Sequence, residues 1–304
     1  MTTFRDALSA GPLVLDGGMS NELEAQGHDL SGGALWSARL LRDDPDAIAA
    51  VHRAYFAAGA QVAITAGYQA TYDGFARLGI SRTETTALLR RSVSLAREAA
   101  EAAEAQGDGR RWVAASVGPY GAMLADGSEY RGDYGLTVAE LTRFHRPRLE
   151  ALAEAGPDVF AVETIPDLRE AEAVLIALDG LGIPAWLSYS IRGTTTSAGQ
   201  PLTEAFALAR SSDAVIATGV NCAPAADATA ALDLVTGVPG VVYPNGGGVW
   251  DAGTRGWLGA RDEIADLAPS WLRAGASLVG GCCRVGPAEI KELAGRLHAA
   301  PTGR

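Results

Sequence analysis

Eight short apolar runs, each followed by a longer helical stretch, constrain this chain more than any other feature. They are Leu13–Asp16, Gln61–Thr65, Trp112–Val117, Val159–Val162, Ala185–Tyr189, Val215–Val220, Gly240–Tyr243 and Ser277–Val279. Little polar alternation interrupts them, which is the pattern of parallel strands buried on both faces. The stretches between them carry helix start signals. Asp44-Pro45 sets an N-cap before a first-turn proline, Ser81 with Glu84 and Asp167 with Glu170 have capping-box spacing, and Gly286-Pro287 opens the last helix. The alternation predicts an α/β fold, a single (β/α)8 TIM-type barrel over residues 1–304. A doubly wound open sheet is the competitor, but no GxGxxG follows any strand and no Walker motif occurs.

Composition narrows the function. The chain has 25 Lys and Arg against 36 Asp and Glu, a net charge of −11, and its only lysine is Lys291. So acidic a chain is not built to clamp nucleic acid or an anionic membrane. The apolar stretch Pro12–Leu15 is too short for a signal-peptide core, and no run approaches the roughly 18 apolar residues of a spanning helix. These features lead to the expectation of a cytoplasmic protein acting on small molecules, with no obligate protein partner. Gln106–Gly109 reads as a loop, and Ala122–Gly135 as a long insertion after the third strand.

In a barrel of this kind the chemistry belongs at the C-terminal ends of the strands. All 3 cysteines fall there: Cys222 after the sixth strand, and the adjacent Cys282 and Cys283 after the eighth. Three soft thiolates at one mouth make a zinc site with one open position, the catalytic rather than the structural pattern. The plain alternative is three small buried hydrophobes. His28, His52, His145 and His298 lie away from strand ends and read as surface or helix-packing residues. Glu163, at the end of the fourth strand, is placed to pair a substrate cation, the alternative being a structural acceptor for backbone. Asp16 reads the same way, although Asp-Gly-Gly is also ordinary turn chemistry. The amides of Gly17 and Gly18 are candidates to receive a carboxylate. Trp36, Tyr68, Tyr120, Tyr130 and Tyr134 offer aromatic faces to a sulfonium or quaternary ammonium, or simply pack.

Several motifs appear in the order of one family. LDGGMSNELEAQGHDL, ALWSARLL, AITAGYQAT, SVGPYGAMLADGSEYRGDY, VETIPD, GVNC, VVYPNGG and GGCCR together resemble the homocysteine S-methyltransferases, in particular the branch that uses S-methylmethionine. The resemblance runs from about Leu13 to the final helix. It implies zinc held by Cys222, Cys282 and Cys283, and Glu163 on the homocysteine ammonium. It further implies Asp16, Gly17 and Thr65 around the amino-acid head, and Asn221 orienting the zinc ligand beside it. Trp36, Tyr68, Tyr130 and Tyr134 would then line the donor site. The sequence departs from the family in the glycine-rich stretch Gly246–Trp250. It also lacks the longer C-terminal arm of betaine-using relatives, which speaks against betaine as donor.

The chemistry implied is methyl transfer from a sulfonium to a zinc-activated thiolate, with S-methylmethionine ahead of S-adenosylmethionine as donor. Two rivals remain at this level. One uses Cys222 as a metal-free covalent nucleophile, which lacks a partner base at a strand end. The other is a zinc- or amino-acid-binding protein without turnover.

Overall fold

Leu13–Val14, Val62–Ile64, Trp112–Val117, Val159–Ile165, Ala185–Tyr189, Val215–Asn221, Gly240–Tyr243 and Ala276–Val279 form β1 to β8 of one parallel sheet in this computed structural model. The structure describes residues 2–30, 35–107, 109–251 and 256–299. Each strand pairs with its sequence neighbour, and β8 pairs with β1. A parallel bridge from Leu15 to Val62 and a bond from Asp16 N to Val62 O at 3.1 Å bring β1 against β2, so the sheet closes on itself.

Alternation sorts the apolar side chains into two layers. Leu13, Leu15, Val62, Trp112, Ala114, Val159, Ala161, Trp186, Ala217, Val241 and Leu278 fill the barrel interior. Their neighbours on the strands, such as Val113, Phe160, Leu187 and Val242, pack outward on the helices. The helix Phe4–Ala10 contributes Phe4 to the interior, with its ring edge-on to Trp112 at 5.5 Å. Thr3 and Asp6 close a capping box at its start.

The helix signals were read correctly at Asp44, whose Oδ1 caps Ala47 N at 3.2 Å, and at Pro287. Two capping boxes are only half formed. Ser81 caps Glu84 N, but the Glu84 carboxylate turns to Arg42 at 3.8 Å. Asp167 caps Arg169 N at 2.8 Å, while Glu170 faces inward and accepts from Tyr120 N at 2.5 Å and from His145 Nε2 at 2.9 Å. The longer-range partners hold Glu170 more tightly than its own helix start does, because a buried carboxylate needs every donor within reach.

Two strand ends also depart from expectation. β1 stops at Val14 because Asp16 Oδ2 takes over the ladder and accepts from Ile64 N at 2.8 Å. β4 continues through Ile165, with its register shifted between Val162 and Ile165 and Thr164 at φ 60°. Such a bulge re-aims side chains where a strand leaves the sheet. Among the described residues no helix is long and apolar enough to cross a membrane.

Candidate functional site

The alternation that fills the barrel places a polar layer at its C-terminal end. Above Trp112 and Ala114 comes Ser116. Above Val159 and Ala161 comes Glu163, above Trp186 comes Ser188, and above Val241 comes Tyr243. Asn221 ends β6 in the same layer. All five are buried. Glu163 Oε1 accepts from Ser116 Oγ, and its Oε2 lies 3.2 Å from Tyr243 Oη. Tyr243 Oη in turn lies 2.7 Å from Ser188 Oγ, which donates to Asn221 Oδ1 at 2.8 Å. Asn221 is fixed in orientation, since its Oδ1 accepts from Thr164 N at 2.7 Å and its Nδ2 donates to Thr164 Oγ1 at 2.7 Å.

Burial pushes the Glu163 carboxyl up to about 7, against the lowering by the hydrogen bonds it accepts from Ser116 and Tyr243. Asp16 is buried and raised well above the ordinary carboxylate range, chiefly by burial and further by the charge of Glu163. Its Oδ1 is enclosed with no hydrogen-bond partner. The pair is therefore short of a cation.

The cysteines converge as their strand ends suggested. The Sγ atoms of Cys222, Cys282 and Cys283 all lie within 4.8 Å of one another, with Cys222 and Cys283 at 3.8 Å. Cys222 has φ 49° and Arg284, just past the pair, φ 64°. Left-handed backbone at non-glycine residues is held only where the surroundings impose it. Here Cys222 N donates to Tyr243 O at 3.1 Å and Cys282 N to Pro244 O at 2.8 Å. The glycines before the pair are needed for close approach: a Cβ on Gly281 would lie 2.2 Å from Val285 Cγ1, and one on Gly280 2.5 Å from Leu15 Cβ. Thiol-to-thiol hydrogen bonds hold Cys283 well below the usual thiol range and push Cys282 up.

The donor set fits a zinc ion. Three thiolates at a bond length of about 2.3 Å in tetrahedral geometry stand about 3.8 Å apart, and this is the Cys222–Cys283 separation.

The other expected residues divide. Thr65 is buried beside Ser116, whose N–H its Oγ1 accepts at 3.1 Å. Gly17 packs so tightly that a Cβ would lie 2.3 Å from Val285 O. Gly18 N donates to Val285 O at 2.9 Å, so that amide does not take a substrate carboxylate. Tyr68 lies across Gly118, where a Cβ would meet its ring at 2.6 Å, and its hydroxyl is raised by burial and then by the charges of Glu129 and Cys222. Tyr130 brings its hydroxyl to 3.1 Å from Cys222 Sγ. Tyr134 packs on Tyr120 at 5.2 Å between ring centroids, over the helix Tyr120–Leu124, and the structure does not bring it to the cysteines. Trp36 opens the helix Trp36–Asp43, but its side chain lies outside the described residues. Asp133, in the same insertion as Tyr134, pairs with Arg169 at 3.6 Å.

Sequence reasoning missed Ser116, Ser188 and Tyr243, which period-two counting from the buried strand residues would have found. It also missed Glu129, in the turn Ser128–Tyr130, where burial pushes the carboxyl up to about 7. No periodicity pointed to that residue.

Comparison with known proteins agrees with the fold. The homocysteine S-methyltransferase family model matches residues 13–297. A homocysteine S-methyltransferase of Escherichia coli is 47% identical over 93% of this chain and 94% of its own length. One from Bacillus subtilis is 43% identical over 99% and 100%. The crystal structure of the E. coli homocysteine methyltransferase MmuM in its metallated form superposes with a TM-score of 0.87 at 46% identity, covering 95% of this chain and 98% of that one. The apo form of the same protein gives 0.76, with 94% and 96% covered.

Proposed function

This chain belongs to the homocysteine S-methyltransferase family and is an enzyme of that class. From that premise we propose that it moves a methyl group from S-methylmethionine to L-homocysteine, with zinc held by Cys222, Cys282 and Cys283. The observation that carries the reading is the meeting of three sulfurs from two strand ends beside a buried acidic pair.

When bound, zinc supplies the Lewis acidity that keeps a thiol in its nucleophilic thiolate form at neutral pH. The protein's own residues do the rest. Glu163 and Asp16 take the homocysteine α-ammonium, which relieves their shortage of a cation and releases the Glu163 proton. Gly17 N–H and Thr65 stand near the amino-acid head. Asn221 clamps Thr164 and so fixes the backbone from which Glu163 projects and the residue that precedes Cys222. On the donor side the positive charge disappears during transfer. Aromatic faces of Tyr68 and Tyr130 hold it at about 0.5–2 kcal/mol each, without the tight ground state a carboxylate at the sulfonium would make. The new carbon–sulfur bond forms as the sulfonium bond breaks, the thiol proton having gone to solvent, and both products are methionine. Alignment rather than acid–base chemistry is the main demand. Three thiols that must stay reduced to hold a metal support the reading of a cytoplasmic enzyme.

A donor panel tests this. Reduced, zinc-supplied protein with homocysteine should show its highest kcat/KM with S-methylmethionine, and metal analysis should give about one zinc per chain. Equal or better turnover with S-adenosylmethionine overturns the donor, and full activity without zinc overturns the metal.

A further inference from the structure

The proposed reaction joins two amino acids, and each brings an α-ammonium into a mouth where water is scarce. Asp16 and Glu163 account for one of them. The second has a candidate in the turn that follows β3. Glu129 sits in the turn Ser128–Tyr130 with 2% of its surface exposed. Its Oε2 is enclosed and makes no hydrogen bond. None of the ion pairs among the described residues includes it, and the charged group acting on it from its own loop is another acid, Asp126. A buried carboxylate oxygen without a partner is costly, and a chain keeps one where a ligand completes it.

The position is built rather than incidental. Gly127 at φ 79° starts the turn, and a Cβ on Gly121 would lie 2.4 Å from Glu129 N, so the turn is pressed onto the helix Tyr120–Leu124. Ser190 Oγ donates to Glu129 O at 3.2 Å, and Arg192 to Tyr130 O at 3.1 Å, which ties the turn to the end of β5. Tyr130, the residue after Glu129, reaches Cys222 Sγ with its hydroxyl at 3.1 Å, so the turn stands beside the cysteines.

We propose that Glu129 is the second ammonium-binding carboxylate of the mouth, taking the α-ammonium of the sulfonium donor while Asp16 and Glu163 take that of homocysteine. The proposal rests on the reading of the donor as an amino-acid sulfonium. It makes Glu129 a specificity residue: sulfonium compounds without an α-amino group lose a contact that nothing else supplies. The ammonium charge does not change during methyl transfer, so this contact contributes equally to bound donor and transition state. It lowers KM and leaves kcat alone.

The test pairs one substitution with one missing ligand group. S-Methylmethionine and its desamino counterpart, 4-dimethylsulfoniobutanoate, are compared as donors at saturating homocysteine, in the zinc-loaded wild type and in Glu129→Gln. Calorimetric binding of both compounds without homocysteine gives a second readout. The wild type should prefer S-methylmethionine by about 100-fold in kcat/KM, the scale set by leaving one buried polar group without its partner. In Glu129→Gln the two donors should come within about threefold of each other, through loss of the amino compound alone, with kcat and the homocysteine KM unchanged. Glu129→Asp, which keeps the charge, should restore part of the preference and guards against a folding defect in the amide. A variant that weakens both donors equally, or that raises the homocysteine KM instead, overturns the proposal. If the wild type proves to prefer S-adenosylmethionine, the donor reading falls. The comparison then passes to that compound and its desamino counterpart, whose ratio decides the role of Glu129 by the same criterion.

Discussion

The two rims of the mouth are built by opposite means. On the strand side, Ser116, Glu163, Ser188, Asn221 and Tyr243 are the last inward positions of successive strands, tied to one another in a continuous hydrogen-bonded chain. On the loop side, Glu129 and Tyr130 hang on a turn whose shape depends on left-handed residues at Ala125 and Gly127. Beneath that turn lies a buried support: Glu170 accepts from Tyr120 N and His145, and Arg148 donates to Gly118 O and to His145 Nδ1 at 2.7 Å. The strand rim is thus fixed by the backbone ladder, and the loop rim by side-chain hydrogen bonds of Arg148, Glu170, Ser190 and Arg192. Acceptor recognition should be robust to changes outside the mouth, whereas donor recognition should not.

The largest effect expected is at the strand ends themselves. Replacing any one of Cys222, Cys282 or Cys283 with Ala should remove most of the bound metal and lower turnover by about 100-fold or more. A variant retaining both its zinc and its rate would break the assignment of that ligand. Glu163→Gln comes next. Leaving the substrate ammonium without its buried partner should weaken homocysteine binding by roughly 2–4 kcal/mol, or about 30- to 1000-fold in KM, with zinc content unchanged. Loss of zinc in this variant would move Glu163 to the metal.

Glu163 also predicts a pH dependence of homocysteine binding. Its folded carboxyl is raised from 4.5 to about 7 by burial, so the ligand-free protein holds a proton there that the unfolded chain has released. With more protons bound in the native state, stability falls as pH rises from 4.5 to about 7. Binding runs the other way, because the ammonium requires the carboxylate form. The homocysteine KM should therefore fall as pH rises through about 7 in the wild type and lose that step in Glu163→Gln. An identical step in both proteins would assign it to the substrate or to another group.

What could be read from the sequence follows the same division. The barrel, the three cysteines, Asp16, Glu163 and Asn221 were legible because a buried parallel strand announces its own end, and inward positions recur every second residue. Thr164 was not, since the bulge that gives it φ 60° arises from how β4 leaves its pairing with β5. Glu170 was misread for a related reason. Capping-box spacing is a local signal, but its partner Tyr120 lies 50 residues away in sequence. Glu129 carried no signal at all, because nothing in a loop's composition states which of its acids will be enclosed.

Glu170→Gln should sharpen the contrast between the rims by loosening the support from below. One carboxylate contact to His145 and the Tyr120 amide weakens, at a cost of about 1–3 kcal/mol in stability. The donor KM should rise several-fold while the homocysteine KM stays within twofold, measured on zinc-loaded protein. Parallel increases in both would mean that the network braces the whole mouth and that the two rims are not independent.

The smallest effects separate the tyrosines. Tyr130 is 38% exposed as a residue and holds its hydroxyl 3.1 Å from Cys222 Sγ. Tyr130→Phe keeps the ring and removes only the hydrogen bond to sulfur, so the donor KM should change by no more than about threefold, a typical single neutral hydrogen bond being worth about 0.5–1.5 kcal/mol. Tyr130→Ala removes the face as well and should raise it by up to about tenfold, within the range of one cation–aromatic contact. Tyr134 should behave differently. Its ring packs on Tyr120, so Tyr134→Ala should act through lost packing, lowering the melting temperature and disturbing the turn above it without a donor effect larger than that of Glu170→Gln. If Tyr134→Ala instead matched Tyr130→Ala on the donor with no loss of stability, the ring would have to reach the mouth when substrate is bound. The loop rim would then close over the donor rather than stand ready for it.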